Sequence, residues 1–428
     1  MTKKEKSRKA PATRSVRAGL ESDAQHGSVV PPIYLSSNFA FESYRKPRKY
    51  DYTRSGNPTR DQLGLALADL EGGAGAVVTC TGLAAITLIL ATLPQGARVL
   101  APHDCYGGTY RLLAALHAQG KLVVDFVDQT SAAAMEAALA ARPNLVWIET
   151  PSNPLLRIVD IRAVADAAHA AGALVVADNT FLSPLWQQPL ALGADVVMHS
   201  TTKYLNGHSD VVGGAVIAAT RELAESLTWW ANVIGVTGAP FDSFLSLRGV
   251  RSLHARMRVH AENTAAVVGL LHGHPAVHRV FYPGLADHPG HEIARRQQSS
   301  FGAMLSFELA GGEAAVAEFL KGLECFTLAE SLGGVESLIS HPASMTHAGM
   351  DESARLKAGI GEGLLRVSVG IEDPADLVED LRAGLERAAR AAHSAARVAA
   401  PAAASAAAPE AASAATAQPE PHRRRHAS

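Results

Sequence analysis

Residues 199–210 read His199-Ser200-Thr201-Thr202-Lys203-Tyr204-Leu205-Asn206-Gly207-His208-Ser209-Asp210, which places one lysine among small hydroxyl residues. The preceding run, Ala194-Asp195-Val196-Val197-Met198, is apolar enough to form a buried strand. Lys203 is therefore expected where the carboxyl edge of a sheet opens onto a crevice. Burial there lowers the pKa of an ammonium group and frees the lone pair that an amine needs to form a Schiff base. Taken alone, the segment is equally consistent with a surface lysine that follows a strand.

Strand-like and helix-like segments alternate along the chain. Further strands are predicted at 76–79, 98–101, 122–127, 145–149 and 173–177. Longer helical patterns lie between them, at 84–93, 110–119, 131–141 and 161–171. This alternation predicts a mostly parallel sheet. Ligands of such sheets bind beyond the carboxyl ends of the strands, so the polar loops that follow the strands are expected to converge on one site.

Two of these segments suit a phosphate group. Thr81-Gly82-Leu83 opens a predicted helix, and the free amides and positive dipole at a helix start attract an anion. Leu83 would contribute only its amide. Ser200 and Thr202 add hydroxyl donors beside Lys203.

Two other residues suit an aromatic ring with a basic nitrogen. Asp178 follows a buried strand, where a carboxylate is costly unless a cation such as a protonated pyridine nitrogen pairs with it. The alternative is an aspartate that caps the next turn. Tyr106 precedes Gly107-Gly108, which lets the backbone approach a ligand, and its ring could lie flat on that ligand or belong to the core.

Longer stretches around these residues resemble one known family. They are Tyr52 to Arg60, Pro102 to Gly108, Pro151 to Leu156, Asp178 to Phe181, the lysine segment and Ala329 to Ser340. From about Thr13 to about Ala391, the chain resembles the pyridoxal-phosphate (PLP) enzymes of cysteine and methionine metabolism, most closely the bacterial members that synthesise cystathionine. The resemblance implies an α/β fold of type I: a large domain with a mostly parallel seven-stranded sheet flanked by helices, and a smaller C-terminal α+β domain.

The resemblance also assigns the cofactor contacts. Lys203 would carry PLP covalently, Asp178 would bind its pyridine nitrogen, and Tyr106 would stack on its ring. The phosphate would be held by Gly82, Leu83, Ser200 and Thr202. Lys203 and Tyr106 would be the catalytic residues.

Further assignments concern the neighbouring subunit and the substrate. Tyr52 and Arg54 would reach the phosphate in a neighbouring subunit, which implies an obligate dimer within a homotetramer; by itself, Arg54 would be interpreted as a solvated loop charge. Asn153 would contact the phenolic oxygen of the cofactor and the substrate carboxylate, which Arg366 would grip with help from Ser331. Candidates for recognising the incoming amino acid or the leaving acyl group are Glu330 and Arg111.

The implied reaction is replacement of the succinyl group of O-succinyl-L-homoserine by L-cysteine, giving cystathionine and succinate. The stretch Trp229 to Gly238 and the stretch around Glu330 favour synthesis, whereas Ser340 to His347 also resembles γ-lyases and sulfhydrylases. Ser55 stands where a second arginine is expected in the synthases, which leaves the acyl-group contacts open. Breakdown of cystathionine and sulfhydrylation of an O-acylhomoserine therefore remain alternatives. A catalytically silent regulator on the same scaffold is disfavoured, because the lysine, aspartate and phosphate positions are intact.

Composition limits the class of protein. The 428 residues, 47% of them hydrophobic, can bury a large core in two domains. The net charge of −2 gives no general attraction to nucleic acid or to a membrane surface, and no apolar run is long enough to span a bilayer. Three cysteines without paired spacing favour a reducing cytoplasm, and the basic segment from Thr2 to Arg17 lacks the apolar core of a signal peptide. The eighteen histidines show no metal-ligand spacing, so no metal is expected.

Composition shifts predict the domain organisation. An N-terminal arm is expected over 1–58, with its first residues disordered, followed by a PLP-binding domain over 59–259. An arginine- and histidine-rich helix is expected to begin near Val259 and to open a C-terminal α+β domain over 260–392. Its last helix should begin at Asp373-Pro374 and bury Leu377, Leu381 and Leu385. The alanine- and proline-rich tail, 393–428, is predicted to be disordered.

Overall fold

The computed structural model describes residues 9–350 and 352–406 of the chain, with side chains through residue 391. Its helices are α1 (Pro11–Val16), α2 (Pro58–Glu71), α3 (Gly82–Ala91), α4 (Gly107–Ala118), α5 (Ala132–Leu139), α6 (Ile161–Ala170), α7 (Ser183–Trp186), α8 (Arg221–Ile234), α9 (Pro240–Leu271), α10 (His291–Gln297), α11 (Gly312–Leu320), α12 (Glu352–Lys357) and α13 (Pro374–Ala406). Its strands are β1 (Gly75–Thr79), β2 (Ala97–Pro102), β3 (Leu122–Val127), β4 (Leu145–Glu149), β5 (Leu174–Asp178), β6 (Val196–His199), β7 (Gly214–Ala218), β8 (Val277–Phe281), β9 (Met304–Leu309), β10 (Thr327–Leu328), β11 (Leu338–Ser340) and β12 (Leu364–Ser368).

The larger sheet has the strand order β1-β7-β6-β5-β4-β2-β3. β7 runs antiparallel to both of its neighbours, and every other neighbouring pair is parallel. This confirms the predicted mostly parallel, seven-stranded sheet. The sequence patterns missed β7, because its five residues are all buried and so show no alternation of polar and apolar positions. The central strands β4, β5 and β6 end at Glu149, Asp178 and His199.

The smaller sheet has the order β10-β11-β12-β9-β8, and only β10 and β11 are parallel. Its core includes buried residues of α11 and α13, which gives the expected smaller α+β unit. The sequence patterns missed β8 and β11. β8 is a half-exposed edge strand that carries His278 and Arg279, and β11 has three residues, too few to show a period.

The 32-residue helix α9 connects the two sheets along the chain. It begins at Pro240, a proline at the first helical position, and not near Val259 as its composition suggested. Val259, where the domain boundary was expected, lies inside this helix. In the described part of the chain, no helix combines the length and the apolarity needed to cross a membrane.

Helix α13 begins at Pro374, as predicted. Asp373 Oδ1 accepts a hydrogen bond from the Ala375 amide at 2.9 Å, and Leu377, Leu381 and Leu385 are fully buried in the core of the smaller unit. The helix continues to Ala406. Residues 1–8 and 407–428, both within segments predicted to be disordered, lie outside the described residues.

Asp380 on α13 anchors the segment that leads into β10. Its buried carboxylate accepts hydrogen bonds from the backbone amides of Glu324, Cys325 and Phe326 at 2.9, 2.8 and 3.1 Å. We expect Asp380→Ala to lower the free energy of unfolding by about 2–4 kcal/mol, because one buried and two partly buried amide donors lose a charged acceptor. Scanning calorimetry measures this change. The matched control is Glu379→Ala, at a side chain 82% exposed, and an equal effect of the two substitutions would contradict the expectation.

Candidate active site

A cavity of about 460 Å³ opens beyond the carboxyl ends of the central strands of the larger sheet. Residues of the smaller unit line part of it. The predicted site residues that line this cavity are Gly82, Leu83, Tyr106, Asn153, Asp178, Ser200, Thr202, Lys203, Glu330, Ser331 and Arg366. A larger cavity of about 990 Å³ lies between α5, α6 and β8, but it contains none of these residues. The smaller cavity is therefore the candidate active site.

Lys203 lies in a tight turn directly after β6. The turn is closed by backbone hydrogen bonds from the Lys203 amide to Ser200 O at 3.3 Å and from the Gly207 amide to Lys203 O at 2.8 Å. The Lys203 ammonium donates a hydrogen bond to Ser331 Oγ at 2.7 Å. Burial lowers the pKa of Lys203 to about 8, and the charge of Arg366 contributes to this shift. A substantial fraction of this amine is therefore neutral near physiological pH.

Arg366 lies on β12 and is almost completely buried at 3% exposure. Its Nη1 donates to Asn153 Oδ1 at 3.0 Å and its Nη2 donates to Ser331 O at 2.8 Å. Its Nε is buried and has no hydrogen-bond partner within the described residues. Burial lowers the pKa of Arg366 to about 10, which leaves the guanidinium charged at neutral pH. The site therefore offers a fixed cation for a carboxylate.

Asp178 closes β5 and lines the cavity. Its Oδ1 accepts a hydrogen bond from the Thr180 amide at 2.9 Å, so it also forms the turn that was the alternative interpretation. Burial raises the pKa of Asp178, whereas hydrogen bonds from Thr180 and the charges of His199 and Lys203 act in the opposite direction. Asp178 makes no salt bridge within the described residues. A protonated ring nitrogen would supply the missing cation.

The start of α3 forms a cradle beside Ser200. Thr81 caps the helix by accepting a hydrogen bond from the Ala84 amide at 2.8 Å, and the first amides of a helix have no intrahelical acceptor. A Cβ atom on Gly82 would lie 3.0 Å from Ser200 Cβ, so glycine at this position lets the helix start pack tightly against Ser200. The amides of Gly82 and Leu83 and the hydroxyl of Ser200 thus fit a phosphate. Together with Asp178 and Lys203, this donor set fits a phosphorylated pyridine aldehyde.

Tyr106 precedes α4, and a Cβ atom on Gly108 would lie 2.4 Å from its ring. The Tyr106 amide donates to Glu149 Oε2 at 2.7 Å, and Glu149 Oε1 accepts from Trp147 Nε1 at 3.2 Å. Burial raises the pKa of Glu149, and the charge of Asp178 raises it further. The sequence patterns gave Glu149 no role. Its position at the end of a buried strand, paired with Asp178 across β4 and β5, was the available signal.

Three predicted site residues do not line the cavity. Tyr52 and Arg54 are exposed in the arm before α2, and Arg54 Nε donates to Asn232 Oδ1 at 3.0 Å. Arg111 is exposed on α4. Burial raises the pKa of Tyr106, and Arg111 is close enough for its charge to act against this shift.

A metal centre was not expected from the sequence. Among the side chains that the structure describes, those of residues 9–350 and 352–391, no group of three or more histidine, cysteine, aspartate or glutamate residues could hold a metal ion.

Several known proteins are similar to this chain in sequence and fold. The cystathionine gamma-synthase of Escherichia coli (strain K12) is 57% identical over 378 residues, which cover 88% of this chain and 98% of that protein. The cystathionine gamma-lyase of Bacillus subtilis (strain 168) is 44% identical over 374 residues, covering 87% of this chain and 98% of that protein. A crystal structure of cystathionine gamma-synthase from Xanthomonas oryzae pv. oryzae in complex with cystathionine is 60% identical with a TM-score of 0.89, covering 90% of this chain and 100% of that one.

The family description "Cys/Met metabolism PLP-dependent enzyme" matches residues 12–386. This range includes every residue that lines the candidate active site. The chain therefore belongs to the family of PLP-dependent enzymes of Cys/Met metabolism.

Proposed function

We propose that the chain is a cystathionine γ-synthase, which replaces the succinyl group of O-succinyl-L-homoserine by L-cysteine and releases cystathionine and succinate. The observation that carries this proposal is the double contact of Ser331, whose hydroxyl binds Lys203 and whose carbonyl binds Arg366. A base and a carboxylate-binding group are thereby held side by side. The higher identity to synthases, 57% and 60%, than to the γ-lyase, 44%, favours synthesis. The second candidate is breakdown of cystathionine, supported by the γ-lyase relative, and sulfhydrylation of an O-acylhomoserine is a third outcome of the same assay.

The cofactor-binding residues have separate tasks. PLP, when bound, withdraws electrons from the substrate and so acidifies its Cα and Cβ protons. Asp178 would hold the pyridine nitrogen protonated, and Tyr106 would stack on the ring. Gly82, Leu83, Ser200 and Thr202 would bind the phosphate. Asn153 would contact the phenolic oxygen of the cofactor.

The substrate-binding residues orient the proton transfers. Arg366 binds the α-carboxylate, with Asn153 and Ser331 fixing its guanidinium plane. Lys203 is the base that removes the Cα proton and the acid that returns it, and its four-carbon stem lets Nζ serve Cβ as well. Tyr106 assists at the substrate amine. The candidates for recognising the incoming cysteine or the leaving succinyl group are Glu330, which lines the cavity, and Arg111, which lies outside it but close enough for its charge to act on Tyr106.

The arm before α2 supports a shared site. Tyr52 and Arg54 are exposed in one chain, and Val29, Val30 and Leu35 expose apolar side chains in the same arm. Apolar exposure of this kind is typical of a subunit interface. The proposal therefore includes a dimer in which Tyr52 and Arg54 bind the phosphate of the neighbouring subunit. It also includes the pairing of two such dimers into a homotetramer in the cytoplasm.

Direct assay of purified protein tests the reaction. We expect cystathionine and succinate from O-succinyl-L-homoserine and L-cysteine, at a kcat/KM at least about tenfold above those for cleavage of cystathionine and for O-acetylhomoserine with sulfide. Chromatography of products from parallel reactions measures this. Faster cleavage of cystathionine would show that the chain is a γ-lyase instead of a synthase. Faster use of sulfide would show that it is a sulfhydrylase.

The lowered pKa of Lys203 predicts how cofactor attachment depends on pH. Only the neutral amine attacks an aldehyde, and the neutral fraction rises with pH until it levels off above the pKa. With a pKa of about 8, the rate of reconstituting apoenzyme with PLP should rise up to about pH 8 and then become constant. Stopped-flow absorbance measures this rate, with Lys203→Ala as the control that attaches no cofactor. A rate that keeps rising to about pH 10, as for an ordinary lysine, would contradict the expectation.

Arg366→Lys tests recognition of the α-carboxylate. The substitution keeps a positive charge but removes the planar fork that holds Asn153 and Ser331, so we expect KM for O-succinyl-L-homoserine to rise at least about tenfold. Steady-state kinetics measures this change. The control is Arg387→Lys, because Arg387 donates to backbone carbonyls of Glu318 and Phe319 outside the cavity. Equal KM values for the two variants would exclude the proposed role of Arg366.

A further inference from the structure

A buried polar cluster lies behind the carboxyl ends of β5 and β6. The Glu71 cluster consists of Glu71 at the end of α2, Asn179 just after β5, and His199 at the end of β6. These residues are 1%, 1% and 0% exposed, and none of them lines the cavity. Their neighbours in sequence, Asp178 and Ser200, do line it. The cluster therefore lies directly behind two of the proposed cofactor contacts.

One carboxylate oxygen joins the two strand ends. Glu71 Oε1 accepts hydrogen bonds from His199 Nε2 at 2.6 Å and from Asn179 Nδ2 at 2.8 Å. Asn179 is also joined to Gln187, since its Nδ2 donates to Gln187 O at 2.8 Å and its Oδ1 accepts from Gln187 Nε2 at 3.1 Å. Gln187 Nε2 donates in addition to Thr150 O, just after β4, at 2.9 Å. The ends of α2, β4, β5 and β6 are thereby connected.

Stability alone explains this cluster poorly. Glu71 Oε2 and His199 Nδ1 are buried and have no hydrogen-bond partner within the described residues. Burying ionisable groups with unsatisfied atoms costs free energy, and apolar side chains of similar volume often stabilise a fold as well or better. A role in placing the strand ends accounts for the arrangement, because each hydrogen bond to Glu71 Oε1 fixes a different strand.

We propose that the Glu71 cluster positions the cofactor site: by binding Asn179 and His199 through one carboxylate, Glu71 fixes the adjacent Asp178 and Ser200 at the separation required to hold the pyridine nitrogen and the phosphate of PLP. The strand ends are already linked at this point, because the Ser200 amide donates to Thr180 Oγ1 at 2.9 Å. A relative shift of the two ends therefore moves both cofactor contacts together, and displacements of about 1 Å are enough to weaken such a site.

This inference rests on the cofactor placement proposed above, but not on the identity of the substrates. Its test is the dissociation constant for PLP, measured by titrating apoenzyme, together with the absorbance maximum of the bound cofactor. We expect Glu71→Leu to raise the dissociation constant at least about tenfold and to shift the absorbance maximum. Glu71→Gln keeps an acceptor for both donors and should remain within about threefold of the unsubstituted chain.

The matched control is Asp380→Ala, which also removes a buried carboxylate but lies in the smaller unit, outside the cavity. It should lower the melting temperature without changing the dissociation constant for PLP. Should Glu71→Leu fail to fold, Asn179→Ala takes its place under the same criteria. A folded variant with unchanged cofactor affinity and spectrum overturns the inference, and so does an equal loss of affinity in Asp380→Ala. Failure of the unsubstituted chain to bind PLP would count against the proposed function instead.

Discussion

The hydrogen bond from Lys203 Nζ to Ser331 Oγ joins the two sheet regions at the cavity. Lys203 follows β6 of the larger sheet, whereas Ser331 precedes β11 of the smaller one and binds Arg366 on β12 through its carbonyl. Ser331 adopts a φ of 84°, in the left-handed region that costs energy for a residue with a Cβ atom. Ser331 is held at both its hydroxyl and its carbonyl, by Lys203 and Arg366, and a Cβ atom on the nearby Gly333 would lie 2.7 Å from the Tyr204 amide nitrogen, so this segment packs closely against the lysine turn. The relative position of amine and guanidinium therefore depends on this junction.

Burial is the largest influence on the pKa values of four ionisable groups of the cavity. It lowers the pKa of Lys203 and Arg366 and raises the pKa of Asp178 and Glu149. The two carboxylates differ in how the cost of their burial is compensated. Glu149 accepts two protein hydrogen bonds, whereas Asp178 has no cation partner within the described residues. A cavity with an incompletely paired carboxylate and a partly neutral amine is costly to fold, and it would suit a cationic ring and an aldehyde.

Polar groups support the site on two sides of the larger sheet. On the cavity side, Glu149 fixes the backbone of Tyr106. Behind the strand ends, the Glu71 cluster connects α2 to β5 and β6. Both carboxylates are buried, and both accept hydrogen bonds from groups on other elements of the fold. They therefore fix the distances between elements of the fold.

The sequence by itself determined the elements whose signals are local. Alternating strands and helices predicted the mostly parallel sheet, and Asp373-Pro374 predicted the start of α13. Polar residues at strand ends predicted that Lys203, Asp178 and the start of α3 lie close together, and the three line one cavity. The resemblance to a family added Arg366 and Ser331. Only the tertiary structure showed strand β7, the start of α9 at Pro240, the hydrogen bonds of Glu149 and the Glu71 cluster. The shortest hydrogen bond of that cluster joins residues 128 positions apart. Local patterns report which residues are buried and which backbone shape they favour, but pairing between distant residues depends on how the completed elements pack.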